Sequence, residues 1–366
     1  MKIAIITFSD FNTNYGSMLQ ALSLKIFLEE NGHIVEFIRY REFNDDEPYT
    51  DLKSAIIDQS KKTIKKIIAF MKKRDAKRKM QNFEAFRNKY FQHTPLYASE
   101  DELKDLPPYD CYICGSDQIW NIECLGGIRK PYFLSFAPDD RKKIAYAASM
   151  GNYIIPEDEK DIFRQLLEKL DYISLREQES VPQIQALTSK NVCDVIDPVF
   201  LTPKEDWGKF MRPVGISGEY AVCYFVRRSK FGKKLVRLLS REYDIPIINL
   251  SDNLIYIRGT ESKYISSGPL EFISLVSRAR YTVGTSFHLA AFSMIFEVPF
   301  LIAGMDSNRN RIQNLLRLAG LESNFVTEAD DYFAAVKKLF NQSPCREKVD
   351  KKIAFSKKYL LEAIQE

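Results

Sequence analysis

Residues 281–302 read YTVGTSFHLAAFSMIFEVPFLI, and the order of residue types in this stretch decides the fold. Tyr281 to Val283 is a short apolar run of the kind that forms a buried strand, and it breaks at Gly284, Thr285 and Ser286. Leu289, Phe292, Ile295 and Phe296 then recur at helical spacing, until Pro299 stops the helix before a second apolar run, Phe300 to Ile302. Strand, polar loop, helix, strand is the repeating unit of a parallel sheet covered by helices. Ser286 stands where an N-cap belongs. His288 falls in the first turn, where unpaired backbone N–H groups and the positive end of the helix dipole gather, a place that suits an anion. His288 is therefore the candidate catalytic imidazole, with a hydrogen-bonded core histidine as the competing reading. His33, beside Gly32, and His93, in a polar connector, are expected at the surface. Ser286 and His288 are two residues apart on a helix and point to different sides, so acid–base work is expected rather than activation of a serine nucleophile.

The same alternation runs through the chain. KIAIITFSD, FNTNYG, SMLQALSLKIFLEEN and HIVEFIRY read as strand, loop, helix and strand. Further short apolar strands are expected at Tyr109–Cys114, Lys143–Ala148, Tyr172–Leu175 and Val192–Ile196. A polar stretch from Thr202 to Gly218 interrupts the pattern, which restarts at AVCYFV and continues through IPIINL to the opening segment. The expected fold is α/β: two Rossmann-like domains with parallel sheets, residues 1–205 and 218–345, facing one another across a cleft. A last helix within 346–366 is expected to cross back onto the first domain. The strand order is not readable from the alternation.

With 366 residues, 45% of them hydrophobic and 13% aromatic, the chain can bury the cores of two ordinary domains. MKIAIITFSD enters a strand without a signal-peptide pattern, and no apolar run approaches the roughly 20 residues that span a bilayer. A cytoplasmic protein is expected. Six irregularly spaced cysteines fit a reducing compartment, and Cys111 and Cys114, a CxxC without a second pair, read as buried thiols rather than zinc ligands. The formal charge of +4 is uneven: between Lys61 and Lys89 twelve Lys or Arg stand against Asp75 and Glu84, a local +10, which leaves 4 − 10 = −6 elsewhere. Ile57, Ile64, Ile68 and Met71 share a helical face, so residues 54–92 are expected to hold a basic amphipathic helix. It reads either as a solvated face or as a segment drawn to an anionic membrane surface. No recognition motif for nucleic acid accompanies it.

The chemistry-bearing residues lie where strands give way to loops: Asn14, Tyr15 and Gly16; Gly115, Ser116 and Asp117 in GSDQIW; Arg176; His288; and Arg309 with Arg311 in DSNRNR. NTNYGS has one glycine where a dinucleotide turn needs three, and no P-loop occurs, which argues against nicotinamide cofactors and ATP. Turn and capping roles remain open for the first two loops.

NYGSMLQALSL, YICGSDQIWN, KIAYAASMG, YISLREQES, DVIDPVFL and GTSFHLAAFSMIFEVPF, in that order, resemble the polysaccharide pyruvyl transferase family. The resemblance implies two Rossmann-like domains similar to GT-B glycosyltransferases, and transfer of pyruvate from phosphoenolpyruvate onto a sugar as a cyclic ketal. It implies that His288 is the catalytic histidine and that Arg176 binds phosphoenolpyruvate. Many members carry an arginine where this chain has Ser286, so Arg309 or Arg311 is the candidate for the second donor-binding charge, with Ser286 offering its helix turn. Asn14, Tyr15, Gly16, Gly115, Ser116 and Asp117 are then the candidate acceptor-binding residues. No metal or cofactor is expected besides phosphoenolpyruvate as co-substrate. The expected acceptor is a saccharide carried on a polyprenyl diphosphate at the inner face of the plasma membrane. Two alternatives remain: a GT-B-type glycosyltransferase using a nucleotide sugar, and a catalytically inactive saccharide-binding partner.

Overall fold

The computed structural model describes residues 1–10, 12–41, 61–251, 260–261, 264–305, 309–341 and 344–365, with the side chains of 61–73 outside the description. The beginning of the expected basic helix, Ile57 included, and residues 306–308 of the DSNRNR loop therefore lie outside the described residues.

Among the described residues the strands form two sheets in which every pairing is parallel. The first holds β1 (Lys2–Ile6), β2 (Ile34–Tyr40), β3 (His93–Tyr97), β4 (Cys111–Cys114), β5 (Lys142–Ala148), β6 (Tyr172–Leu175) and β7 (Val192–Asp194), in the order β3-β2-β1-β4-β5-β6-β7. The second holds β8 (Ala221–Tyr224), β9 (Ile247–Asn249), β10 (Thr260–Glu261), β11 (Thr282–Gly284), β12 (Phe300–Ala303) and β13 (Phe325–Val326), in the order β10-β9-β8-β11-β12-β13. Both repeat the doubly wound order of nucleotide-binding folds, in which the chain reverses direction between the first and fourth strands. The crevice at such a reversal is where ligands bind, because the loops on either side turn away from each other. The loops that follow β1 and β4, and those that follow β8 and β11, therefore decide the site.

Helices Tyr15–Glu30 and Phe287–Phe296 are apolar nearly all round because they lie between the two sheets rather than on the outside. Tyr15 is the clearest link between the domains. Its ring stacks on Phe272 at 4.5 Å and meets Tyr224 edge-on, and its hydroxyl donates to the Ser267 carbonyl at 3.1 Å. Full burial of such a ring contributes about 1.5–3 kcal/mol. The basic helix Lys61–Tyr90 also belongs to this contact: Lys79 is buried with its ammonium 4.4 Å from the Tyr15 ring centroid, and Asn82 donates to the Ser266 carbonyl at 2.7 Å. Helix Arg346–Gln365 lies on the first sheet, where Ser356 Oγ accepts from the Ile196 N–H at 2.9 Å.

Three details differ from the sequence expectations. Strand β3 occupies the stretch around His93 that reads as a polar connector, because an edge strand tolerates Pro95 and needs few apolar residues. His93 is not a surface residue: its ring packs 6.1 Å from Phe37 and 5.7 Å from Phe91, and burial lowers its pKa to about 4. His33 is half-buried, with Nδ1 enclosed. Cys111 and Cys114, by contrast, lie on β4 as the buried free thiols that were expected, and burial pushes Cys111 up to about 12.

Candidate active site

Ser286 opens the Phe287–Phe296 helix as its N-cap, with Oγ accepting from the Leu289 N–H at 3.3 Å, so the first turn faces the reversal point of the second sheet. Thr285 ties this loop to the one after β8, its hydroxyl accepting from the Val226 N–H at 3.2 Å. His288 is 6% exposed. Its ring reaches across the seam to Gly16: a Cβ on Gly16 would lie 1.9 Å from His288 Nδ1. Glycine is required there because the imidazole occupies the space of a side chain. Gly16→Ala is expected to displace the ring and lower activity about 100-fold, the scale of a misplacement near 1 Å. Circular dichroism and steady-state rates check this, and a variant of normal rate would show that the ring position is not critical.

His288 Nε2 is buried without a hydrogen bond, 3.5 Å from Asp197 Oδ2. Arg176 holds that same oxygen, donating from Nη1 at 2.7 Å, while its Nε approaches Glu177 at 3.5 Å and its Nη2 is buried and unpartnered. Burial alone would raise the Asp197 pKa, but His288, Arg176 and the Val199 N–H hold it well below the usual carboxylate range. Burial opposes the charge of Arg176 as well, and Asp197, Glu177 and Asp117 outweigh it, so its pKa is raised. The result is a buried imidazole, carboxylate and guanidinium in series.

A cavity of about 150 Å³ opens at the seam. The second domain lines it with Arg227, Thr285, Ser286, His288 and Arg311, and the first with Asn14, Asp117 and Gln118. Arg311 is half-buried with Nε unpartnered, and burial together with Arg176 lowers its pKa. Arg176 itself opens instead to a neighbouring groove of about 330 Å³, which shares Arg311 and Phe287 with the first cavity.

The other candidates divide. Asn14 caps helix Tyr15–Glu30, accepting from the Gly16 N–H at 2.9 Å, and also lines the cavity. Asp117 lines it too, fixed by the Ser17 hydroxyl at 2.5 Å and the Gln118 N–H at 2.9 Å. Tyr15 is committed to the domain contact. Ser116 is fully buried, donating to the Ala147 carbonyl at 2.7 Å, and Gly115 presses on the Tyr146 carbonyl, where a Cβ would lie at 2.2 Å. These three shape the loops and are not among the cavity's lining residues. Arg309 is exposed, near the Phe325 ring at 5.7 Å, and is likewise absent from the lining. Sequence reasoning missed Asp197 and Arg227 as site residues. Both carry the signal that marked the others, a polar side chain at the end of an apolar strand.

A family model described as polysaccharide pyruvyl transferase matches residues 14–307. The chain belongs to this family. As a member of it, the protein is a transferase enzyme of polysaccharide chemistry. Among curated proteins none matches it. Similar solved structures include a putative UDP-N-acetylglucosamine 2-epimerase from Listeria monocytogenes, 10% identical with a TM-score of 0.56, covering 100% of this chain and 95% of that one. AviGT4, a glycosyltransferase involved in avilamycin A biosynthesis, is 10% identical with a TM-score of 0.51, covering 100% and 97%. The UDP-GlcNAc 2-epimerase from Neisseria meningitidis, bound to UDP-GlcNAc, is 11% identical with a TM-score of 0.50, covering 100% and 99%. At such identities they establish the fold alone: the chain has the two-domain GT-B architecture.

Proposed function

We propose that the protein transfers pyruvate from phosphoenolpyruvate to a saccharide as a cyclic ketal, with the seam cavity as the donor site. The observation that carries this reading is the set of groups that the cavity joins: an imidazole, two guanidiniums and a helix N-terminus. A small donor bearing a phosphate and a carboxylate needs those groups. Arg311, Arg227 and the first amides of the Phe287–Phe296 helix take the phosphate and carboxylate. The buried His288 proton goes to the methylene carbon, which makes the adjacent carbon electrophilic. One sugar hydroxyl adds there and loses its proton, the carbon–oxygen bond to phosphate breaks, and a neighbouring hydroxyl closes the ketal. Of the two hydroxyl protons lost, one replaces the proton His288 gave and the other leaves with phosphate.

Calorimetry with phosphoenolpyruvate and with UDP-sugars tests the reading: phosphoenolpyruvate binding alone supports it, and UDP-sugar binding alone favours a glycosyltransferase. Arg311→Ala is expected to weaken phosphoenolpyruvate binding about 10- to 100-fold, the worth of a charge-assisted hydrogen bond of about 1.5–3 kcal/mol. Arg309→Ala should leave it unchanged, and equal losses in both would remove the assignment.

The acceptor proposed is a polyprenyl-diphosphate-linked saccharide at the inner membrane face. The charge of the 61–89 segment supports a peripheral contact, and no helix among the described residues is long and apolar enough to cross a membrane. Replacing Lys61, Lys62, Lys65, Lys66, Lys72 and Lys73 by glutamine is expected to abolish sedimentation with anionic vesicles at low salt. Undiminished binding would dismiss the membrane role.

A further inference from the structure

On the first-domain side of the seam lies a second cavity of about 410 Å³, which adjoins the His288 cavity and shares Asn14, Asp117, Gln118 and Cys124 with it. Its lining mixes aromatic, charged and polar residues. Phe8 meets Tyr132 edge-on at 5.4 Å and 88°, Tyr40 meets Tyr132 at 6.2 Å and 84°, and Asp10, Arg41 and Arg129 also line it. At the seam it is polar, with Asn14, Asp117 and Gln118.

The lining is built before any ligand arrives. The Tyr132 carbonyl accepts from the Trp120 indole at 2.9 Å, which fixes the turn that carries its ring. The loop after β1 is braced by Arg87, whose Nη1 donates to the Asn12 carbonyl at 3.1 Å and whose Nε lies 3.5 Å from Asp10. A preformed site avoids the ordering cost of binding. Asp117 is equally fixed. The bonds from Ser17 and the Gln118 N–H use two of the roughly four lone-pair positions of a carboxylate, so it retains capacity to accept.

A pyranose ring is amphipathic in the same sense as this cavity. Its C–H face is attracted to the negative face of an aromatic ring, and its hydroxyl edge needs polar partners. A nucleobase, flat on both faces, is better served by a parallel slot than by rings set edge-on. We propose that this cavity is the acceptor subsite: it takes one pyranose, with its C–H face toward Phe8, Tyr40 and Tyr132 and its two reacting hydroxyls at Asp117. The proton of the attacking hydroxyl passes to the Asp117 carboxylate as the hydroxyl oxygen bonds to the central carbon of the donor, whose methylene takes its proton from His288; Asp117 gives its proton to the departing phosphate, and the proton of the second hydroxyl restores His288. This rests on the reading of the His288 cavity as the phosphoenolpyruvate site.

The test uses the full chain with the methyl pyranosides of galactose, mannose and glucose. Saturation-transfer NMR from the aromatic protons is expected to reach the ring C–H protons of at least one of them, and the Phe8→Ala/Tyr40→Ala double variant to lose most of that signal. In steady state the double variant is expected to raise the KM of that saccharide about tenfold, with the melting temperature and the calorimetric Kd for phosphoenolpyruvate unchanged. Asp117→Asn is expected to lower kcat about 100-fold while saccharide KM moves little, the split that separates proton acceptance from binding. If a pyranoside binds and the double variant abolishes that binding, yet the wild type transfers nothing to it from phosphoenolpyruvate, the subsite stands and the donor reading is overturned instead. The subsite is overturned if none of the three pyranosides gives either saturation transfer or product. It is equally overturned if the double variant weakens UDP or phosphoenolpyruvate binding while saccharide KM stays put.

Discussion

Replacing His288 by alanine is expected to lower turnover with phosphoenolpyruvate by a factor of about 100 to 10,000 while phosphoenolpyruvate still binds, because a positioned proton donor acts in the transition state and adds little to ground-state affinity. The structure gives the imidazole the surroundings that role needs. It is 6% exposed, so bulk water does not compete for its proton, and Asp197 Oδ2 lies 3.5 Å from its Nε2. His288→Gln keeps comparable bulk and a hydrogen-bonding end but cannot cycle a proton, and it should fall with the alanine variant. Single-turnover rates with saturating donor decide the matter. A near-normal rate in either variant would remove His288 from the chemistry and return it to the core.

The second large effect belongs to Asp197. Its carboxylate is the common partner of Arg176 and His288, and its side chain is fully buried. Asp197→Ala leaves the guanidinium in the interior without its main counter-charge, which costs about 3–5 kcal/mol of stability. Urea denaturation reads this as a lower midpoint, and turnover should fall as the imidazole loses its orienting partner. The pH dependence has a definite sign. A carboxylate held below its ordinary value near 3.9 contributes stability that is fully present above that value and is lost as pH falls through its lower folded value. The stability gap between wild type and Asp197→Asn is therefore expected to be widest above about pH 4 and to narrow at lower pH. A gap that widens on acidification would contradict the pairing.

The loop around His288 was legible because it concentrates strong local signals: an apolar run, a capping serine and a helix stopped near proline, all within one unit. Asp197 was not, although DVIDPVF stands out in the chain, because its partners arrive from other strands and only the sheet order brings them together. That order could not be read, since strand-helix alternation is the same whichever strands become neighbours. Tyr15 and Ser116 were read from their loop positions as acceptor groups, yet the same loops also had to join the domains and the sheet, and those side chains serve that purpose. Arg309 and Arg311 look equivalent in DSNRNR. The helix Arg309–Ala319 begins there, and residues two apart on a helix face different ways, so one reaches the cavity while the other stays outside.

The most direct test of the donor site is to incubate the protein with phosphoenolpyruvate and, in turn, galactosides, mannosides, glucosides and a polyprenyl-diphosphate-linked saccharide, following phosphate release and the mass of the saccharide together. The expected result is phosphate released only when a suitable saccharide is present, matched mole for mole by a pyruvate ketal on that saccharide. Phosphoenolpyruvate left intact while a UDP-sugar is consumed, or phosphate released at the same rate without any saccharide, would contradict it.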